Sequence, residues 1–391
     1  MFVDETAEQK VLRAELRAYF VKLMTPEVLA EVRGAESGEA YRRVIRQMGK
    51  DGWLGIGWPV EYGGQGRSAT EQLIFFEEAV RAGAPIPFVT LNTVGPAIMH
   101  LGSEAHKKQF LPGILSGEIH FAIGYSEPEA GTDLASLRTT AVRDGDDYVI
   151  NGTKSFTSGA DGADYIWLAA RTDPNVPKHK GLTILIVDTK LPGFSVAPIR
   201  TVGDARTTMT YYDDVRVPVS MVVGEENRGW KLITAQLNHE RVGLAALGSA
   251  GQGLFEGVVA WAKEVEDEAG RPVIEQPWVQ MSLAEAYCLL EAMKLMNARM
   301  AWELEQGKLD PAGASAIKVY GTESAIEVSR LLLEVVGPVG AVPEGSPGAV
   351  LRGQLERQYR ACQINTFGGG VNEIQREIVA MLGLGMPRGS R

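Results

Sequence analysis

One carboxylate stands among apolar residues on a predicted helix. Residues 230–263 have helical periodicity, and Glu240 lies on the apolar stripe of this segment. Its neighbours at helical spacing are Ile233, Leu237, Leu244 and Leu247. Burial disfavours the charged form of a carboxyl group and raises its pKa toward neutrality, where a general base works well. Glu240 is therefore a candidate general base, and a buried ion pair, for example with Arg241, is the alternative that these residue types leave open.

A second candidate site is rich in hydroxyls and backbone amides. It comprises YSEPEAGTD (125–133) and NGTKSFTSGADGADY (151–165), with Phe156 in the second segment. Such a cluster suits the polar rim and the apolar face of a planar heterocycle. Ordinary turns capped by Ser and Thr have the same composition, so the pattern alone leaves both interpretations open.

Several common catalytic motifs are missing from the sequence. No GxGxxG follows a predicted strand, and there is no Walker A loop, nucleophile elbow or HExxH. The glycines of GSAGQG (248–253) lie inside a helical pattern, where small residues favour close helix packing. His239 and Glu240 are adjacent on a helix and so do not face each other. Two cysteines and five scattered histidines predict neither a disulfide framework nor a metal site.

The elements that must position these residues change character twice along the chain. Residues 1–120 are predicted to be helical, beginning with a capping box at Thr6 and Gln9, with further helices over 41–50, 69–82 and 103–115. Residues 121–228 have a period of two, and the predicted strands are 139–143, 148–150, 154–158, 165–170, 182–188, 194–197, 208–212 and 215–217. Short strands at this spacing are typical of a sandwich or barrel.

Helical periodicity returns over residues 229–391. The predicted helices are 230–263, 278–306, 312–336, 349–366 and 372–382. The sequence therefore predicts an α+β protein with an N-terminal α-helical domain (1–120), a middle β domain (121–228) and a C-terminal α-helical domain (229–391).

Composition limits the class of partner. The chain has 391 residues and a formal net charge of −10. Charge of this sign repels nucleic acid and anionic membrane surfaces, so we expect neither as a partner. The acidic N-terminus is not typical of a signal peptide, and the apolar runs are too short to span a membrane. We therefore expect a cytoplasmic protein.

The sequence resembles an acyl-CoA dehydrogenase over essentially its whole length. The matching segments are DGWLGIGWPVEYGG (51–64), YSEPEAGTDLASL (125–137), NGTKSFTSGADGADYI (151–166), YYDDVRVP (211–218), VGEENRGWKLI (223–233) and NEIQREIVAMLGLG (372–385). The resemblance implies the same three domains, the last of them a four-helix bundle. It also implies FAD as the cofactor, bound without a Rossmann motif, and an acyl-CoA thioester as the substrate.

The resemblance assigns roles to particular residues. It implies FAD contacts from Tyr125, Ser126, Gly131, Thr132, Phe156, Thr157 and Ser158. Phe156 stands where the family usually has a Trp packed on the isoalloxazine ring, and Ser158 matches a hydroxyl near flavin N5. Thr132 matches a hydroxyl shared with the acyl-CoA, and Asn238 and Arg241 match residues that contact the CoA moiety.

The catalytic base departs from the commonest family pattern. Most members carry it in a Tyr-Glu-Gly-Thr segment, whereas the aligned run here is FGGGVNEIQR (367–376), with Gly369 at the Glu position. A minority, including the isovaleryl-CoA and long-chain types, carry the base in a Glu-Arg pair on the first helix of the C-terminal domain. That pair is Glu240-Arg241 here, so the resemblance and the helical pattern indicate the same residue. Glu373 is the leading alternative.

A second departure concerns the neighbouring subunit. Family members reach the neighbour's FAD with an Arg…Phe-Gly segment and a Gly-Gly-x-Gly-Tyr segment. The aligned runs here are Glu266…Ala269-Gly270 and Gly337-Pro338-Val339-Gly340-Ala341. An acid in place of the cation repels a pyrophosphate. The pattern resembles the catalytic-base subunit of the actinobacterial heterotetrameric acyl-CoA dehydrogenases of steroid side-chain breakdown.

The predicted function is thus FAD-dependent α,β-desaturation of a steroid side-chain or other branched acyl-CoA. The expected partners are a related subunit in an α2β2 tetramer and an electron-transfer flavoprotein or similar acceptor. A non-catalytic assembly subunit and an acyl-CoA oxidase are the alternatives.

Overall fold

The computed structural model describes residues 4–32, 37–234, 250–308 and 310–387. Its first part is helical, as predicted. The helices are α1 (Ala7–Leu23), α2 (Pro26–Val32), α3 (Glu39–Lys50), α4 (Ala69–Arg81), α5 (Gly95–Leu101) and α6 (Glu104–Leu115).

Side-chain caps fix where these helices begin. The Thr6 hydroxyl accepts a hydrogen bond from the Gln9 amide, and the Gln9 side chain accepts one from the Thr6 amide, which confirms the predicted capping box. Ser68 and Ser103 cap α4 and α6 in the same way. Each box pairs backbone N–H groups that have no partner inside the helix.

The middle of the chain forms one mixed sheet. Its strands are β1 (Phe121–Gly124), β2 (Thr140–Asp144), β3 (Asp147–Lys154), β4 (Tyr165–Arg171), β5 (Leu182–Asp188), β6 (Phe194–Arg200), β7 (Arg206–Pro218) and β8 (Val222–Val223). The order is β6-β7-β3-β2-β4-β5-β8, with β1 parallel to β4 and most other pairs antiparallel. The predicted strands at 208–212 and 215–217 are one continuous strand, β7.

The end of β3 departs from the prediction. The strand runs through Asn151 and Gly152, with an irregular register beside β7, and ends at Lys154. The predicted strand over 154–158 is wrong because Phe156 has a φ of +58°, which is incompatible with extended backbone. The chain turns there instead, and this turn presents the candidate site.

Strands β4 and β5 are buried on both faces. Trp167, Ala169 and Ile184 pack in the core shared with the N-terminal helices, whereas Leu168 and Leu185 pack in the core of the sheet itself. Such strands read as continuous apolar runs in the sequence. The sheet is thereby fixed against the helices that precede it.

The C-terminal part returns to helices. Residues 229–234 are helical, followed by α7 (Ala250–Glu264), α8 (Pro277–Glu305), α9 (Pro311–Val336), α10 (Gln354–Cys362) and α11 (Asn372–Ile378). Helix α9 is central and packs against the other four. Arg360 on α10 pairs with Asp204 in the turn between β6 and β7 at 2.5 Å, which joins this part to the sheet.

The predicted domain limits at residues 120 and 228 stay predictions.

In the ranges that the structure describes, no helix has the length and apolar character needed to cross a bilayer.

Candidate functional site

The two polar segments singled out in the sequence lie side by side. The Ser155 amide donates a hydrogen bond to the Ser126 carbonyl at 2.9 Å, and the Lys154 ammonium donates one to the Tyr125 carbonyl at 3.1 Å. Strand β1 ends at Gly124 and β3 at Lys154, so both segments leave the sheet together. The loop from Tyr125 to Thr132 and the turn over 155–158 therefore form one surface.

Side chains alternate between the interior and this surface. Phe156 is 63% exposed and Ser158 is exposed, whereas Ser155 and Thr157 are buried. The positive φ of Phe156 is a strained conformation for a bulky residue, and such strain persists only where the surroundings enforce it. The turn thus presents an aromatic ring and a hydroxyl to a ligand.

Thr157 anchors this turn to β7. Its amide donates to the Thr208 carbonyl at 3.0 Å, and its carbonyl accepts from the Thr208 hydroxyl at 2.6 Å. Its own hydroxyl lies 3.3 Å from that of Thr210. The amide, carbonyl and hydroxyl of Thr157 all have partners in the interior. Thr157 therefore fixes the backbone that carries its exposed neighbours.

The remaining predicted residues border the same surface. The Ser158 hydroxyl lies 2.9 Å from that of Thr207, and the Tyr125 hydroxyl accepts from the indole of Trp167 at 3.1 Å. Gly131 and Thr132 are exposed, and a Cβ added to Gly131 would meet no described atom within 4 Å. The loop therefore leaves open space beside its backbone.

One buried polar atom next to this surface has no partner among the described residues. The Ser155 hydroxyl is buried and makes no hydrogen bond there. This hydroxyl faces the interior, so the fit to a ligand rests on the exposed Phe156 ring, the exposed Ser158 hydroxyl and the open space beside Gly131. The residues present thus fit a planar ligand with hydrogen-bonding edges.

A glycine loop in the C-terminal part is held by a buried lysine. The Lys318 ammonium on α9 donates to the carbonyls of Thr366 and Gly370 at 3.2 and 2.5 Å and to the Asn372 side chain at 2.7 Å. Gly369 and Gly370 have φ values of +66° and +101°, which glycine adopts readily because it has no Cβ. Glu373 follows this loop and is exposed.

The segment aligned with the neighbour-contacting Arg forms a tight acidic turn. The Asp267 carboxylate accepts from the amides of Ala269 and Arg271 at 2.9 and 3.1 Å, and Gly270 has a φ of +73°. Hydrogen bonds from these amides and the charge of Arg271 lower the pKa of Asp267. Glu266 is exposed at the start of this turn.

Three predicted residues lie outside the described residues. They are the candidate base Glu240 and the candidate CoA contacts Asn238 and Arg241.

Within the described ranges, no group of three or more His, Cys, Asp or Glu side chains is placed to hold a metal ion.

Sequence analysis did not single out Lys154, Glu127 or Lys318. Each is a charged residue in the interior, and each pairs across a long sequence separation. No local pattern in the sequence marks any of the three as buried.

Comparison with known proteins gives matches along the chain. Three family models match, described as acyl-CoA dehydrogenase N-terminal domain (residues 6–118), middle domain (122–215) and C-terminal domain (227–384). Two curated relatives from Mycobacterium tuberculosis are "Acyl-CoA dehydrogenase FadE26", 53% identical over 100% of both chains, and "Acyl-CoA dehydrogenase FadE29", 52% identical over 99% of both.

Solved structures match over the same length. One described as "Tcur3481-Tcur3483 steroid ACAD" is 58% identical, covers 100% of both chains and has a TM-score of 0.95. The "ChsE4-ChsE5 complex from Mycobacterium tuberculosis" is 54% identical, also covers 100% of both chains and has a TM-score of 0.94. Each description names two different proteins, and the second calls them a complex. The three-part fold, the adjacent polar segments and these matches together show that the chain belongs to the acyl-CoA dehydrogenase family of flavin-dependent oxidoreductases.

Proposed function

We propose that this chain is the base-carrying subunit of an FAD-dependent acyl-CoA dehydrogenase that introduces an α,β double bond into a steroid side-chain or other branched acyl-CoA thioester. The observation that carries the proposal is the surface on which the exposed Phe156 and Ser158 lie beside the loop from Tyr125 to Thr132. The substrate class is supported by the relative described as a steroid ACAD, which is 58% identical.

The residues of this surface would hold the flavin ring. The exposed ring of Phe156 would cover one flat face, and the hydroxyls of Ser126, Thr132 and Ser158 would meet the polar edge. Gly131 leaves room for the ligand to approach the backbone. When bound, FAD supplies the acceptor for the hydride that leaves the β-carbon of the substrate.

Glu240 would remove the proton from the α-carbon next to the thioester. Its carboxylate lies on an apolar stripe in the sequence, where burial favours proton uptake at neutral pH. Gly369 cannot act as a base, and Glu373 is exposed, which favours Glu240 over it. Hydrogen bonds to the thioester carbonyl would stabilise the negative charge that develops on its oxygen. Asn238 and Arg241 would contact the CoA moiety.

The assembly would contain a second, related subunit. The acidic turn at Glu266 would repel the pyrophosphate of a neighbour's FAD, so two copies of this chain would complete each other's sites poorly. The heteromeric structures among the relatives support this arrangement. We propose an α2β2 tetramer that passes electrons to an electron-transfer flavoprotein or a similar acceptor.

The test is product analysis with the protein co-expressed with a related subunit. A steroid side-chain CoA thioester should be converted, in the presence of an artificial electron acceptor, to a product that lacks two hydrogens. A straight-chain acyl-CoA of similar mass is the control substrate and should react more slowly. Hydrogen peroxide formed in step with the product, without an added acceptor, would indicate the oxidase. An assembly that makes no product and holds no FAD would contradict the proposal and indicate the assembly subunit.

A further inference from the structure

A buried ion pair lies directly beneath the candidate flavin surface. The Lys154 ammonium is 2.8 Å from the Glu127 carboxylate, and the two side chains are 0% and 6% exposed. Charges removed from water in this way persist only when they are paired and their remaining hydrogen bonds are satisfied. The polar groups that make these remaining hydrogen bonds therefore show which segments of the chain the pair joins.

The partners of this pair belong to three separate segments. Lys154, at the end of β3, also donates to the Tyr125 carbonyl at 3.1 Å. Glu127 accepts from the backbone amides of Arg138 and Thr139, at 2.6 and 2.8 Å, just before β2. The pair thus connects the loop after β1, the end of β3 and the residues that lead into β2.

The residues adjoining the pair are those of the candidate flavin surface. Tyr125 and Ser126 precede Glu127, and Ser155 and Phe156 follow Lys154. The hydrogen bond between Ser155 and Ser126 joins these two flanks next to the pair. A displacement of Lys154 would therefore move both segments, and it would release the strained backbone of Phe156 on its N-terminal side.

We propose that Lys154 and Glu127 are positioning residues that set the spacing between the Ser126 loop and the Phe156 turn for the flavin ring. This inference rests on the proposed function, since it takes FAD to bind at that surface. Neither residue needs to touch the flavin, because both act through the backbone to which they are bonded.

The charges of the pair are consistent with this role. Burial, together with the charge of Arg171 on β4, lowers the pKa of Lys154 to about 8 against the opposing effect of the Glu127 carboxylate. Burial by itself would raise the pKa of Glu127, but the Lys154 charge and the surrounding hydrogen bonds outweigh it and lower the pKa. Both groups are therefore charged at neutral pH.

The test compares Lys154→Met with a matched variant elsewhere, in the flavin-loaded protein co-expressed with its related subunit. Lys154→Met keeps the length of the side chain and removes its hydrogen bonds. The control is Glu78→Gln on α4, since Glu78 is 3% exposed and paired with Arg13 and Arg17 at 2.9 and 2.8 Å. Both variants should lower the melting temperature, because each removes a buried charge from an ion pair.

Flavin readouts should separate the two variants. Lys154→Met should weaken FAD binding by about ten- to a hundredfold and change the visible flavin spectrum, as expected for the loss of a charged hydrogen bond that orients the site. Glu78→Gln should leave both readouts unchanged. If Lys154→Met binds FAD with unchanged affinity and spectrum, or if Glu78→Gln disturbs FAD as strongly, the positioning role is wrong.

A double variant covers the case in which Lys154→Met does not fold. Combining it with Glu127→Gln removes the unpaired buried charge, so the protein should recover stability while FAD binding stays weak. Recovery of FAD binding together with stability would overturn the positioning role. Wild-type protein that never holds FAD would overturn the proposed function as well, whereas normal FAD in wild type and in all variants would overturn only the inference.

Discussion

Phe156 shows which residue properties are readable from sequence and which are not. Its residue type and polar neighbours predicted a ligand face, and the resemblance placed it on a flavin. Its positive φ, two residues after β3 ends, was not predictable because a bulky residue adopts this conformation only when tertiary contacts enforce it. Those contacts include the anchoring of Thr157 on Thr208, which lies about fifty residues further along the chain.

Charged residues in the interior were the ones that sequence analysis missed. Glu127 and Lys154 are 27 positions apart, and no local pattern pairs them. Periodicity reports which face of an element is apolar, whereas it carries no information on which buried charge meets which. The pairing depends on how the strands are arranged in the sheet.

Replacement of the candidate base should separate chemistry from binding. Glu240→Gln should keep the fold and the flavin spectrum but slow the reduction of flavin by acyl-CoA by about 10²–10⁴-fold, the usual effect of losing a general base. Single-turnover reduction without oxygen measures this. Glu373→Gln is the matched control and should react at the wild-type rate. If Glu240→Gln reduces flavin as fast as wild type, the base lies elsewhere and Glu373 is the next candidate.

A carboxylate at position 369, where most family members carry the base, should not raise turnover. Gly369→Glu puts a side chain on a residue with a φ of +66°, which costs about 1–3 kcal/mol for a non-glycine residue. A second carboxylate near the same α-carbon would also repel Glu240 and raise the pKa of one of the two groups. We expect a lower melting temperature or lower turnover. A gain in turnover with Glu240 intact would contradict this arrangement of the site.

At the scale of elements, buried strands and capped helices were the most predictable parts. The capping box at Thr6 and the apolar run of β5 (Leu182–Asp188) have the predicted positions, because cap chemistry and burial on both faces leave strong local signals. The parallel pairing of β1 with β4 joins residues more than forty positions apart and left no such signal. That pairing helps to bring the loop after β1 to the end of β3.

The free energy of unfolding should depend on pH because of a histidine in the connection between α6 and β1. His120 is buried there, and its ring lies 3.0 Å from the Gly117 carbonyl. Burial, together with the charge of Arg42, lowers the pKa of His120 to about 4 against the opposing effect of Asp164. The unfolded state, with a pKa near 6.5, binds a proton first, so stability is lost as the pH falls from about 6.5 through 4.

His120→Gln tests this dependence. Glutamine retains a donor for the Gly117 carbonyl and has no proton to bind in this pH range. Thermal unfolding from pH 7 to pH 4.5 should show a smaller loss of stability for the variant, with a difference of up to about 3 kcal/mol. Parallel curves for the two proteins would show that His120 does not contribute.

At the scale of the whole molecule, the acidic turn at Glu266 predicts how the chain assembles. Expressed alone, the chain should bind FAD weakly or substoichiometrically, since losing a charged phosphate contact lowers affinity by about one to two decades. Co-expressed with a related subunit that retains the Arg and the Gly-Gly-x-Gly loop, it should form an α2β2 tetramer with half as many FAD as chains. Size-exclusion chromatography with mass and flavin absorbance measures both. A stable homotetramer of this chain with one FAD per chain would contradict the heteromer.

We propose that this chain takes part in oxidising an acyl-CoA with a bound flavin. The most direct measurement is the flavin absorbance of the co-expressed assembly, without oxygen, before and after addition of a steroid side-chain CoA thioester. We predict that the assembly carries FAD and that the thioester bleaches it, with formation of the α,β-unsaturated product. An assembly that carries no FAD, or whose FAD stays oxidised with every acyl-CoA thioester tried, would contradict the account.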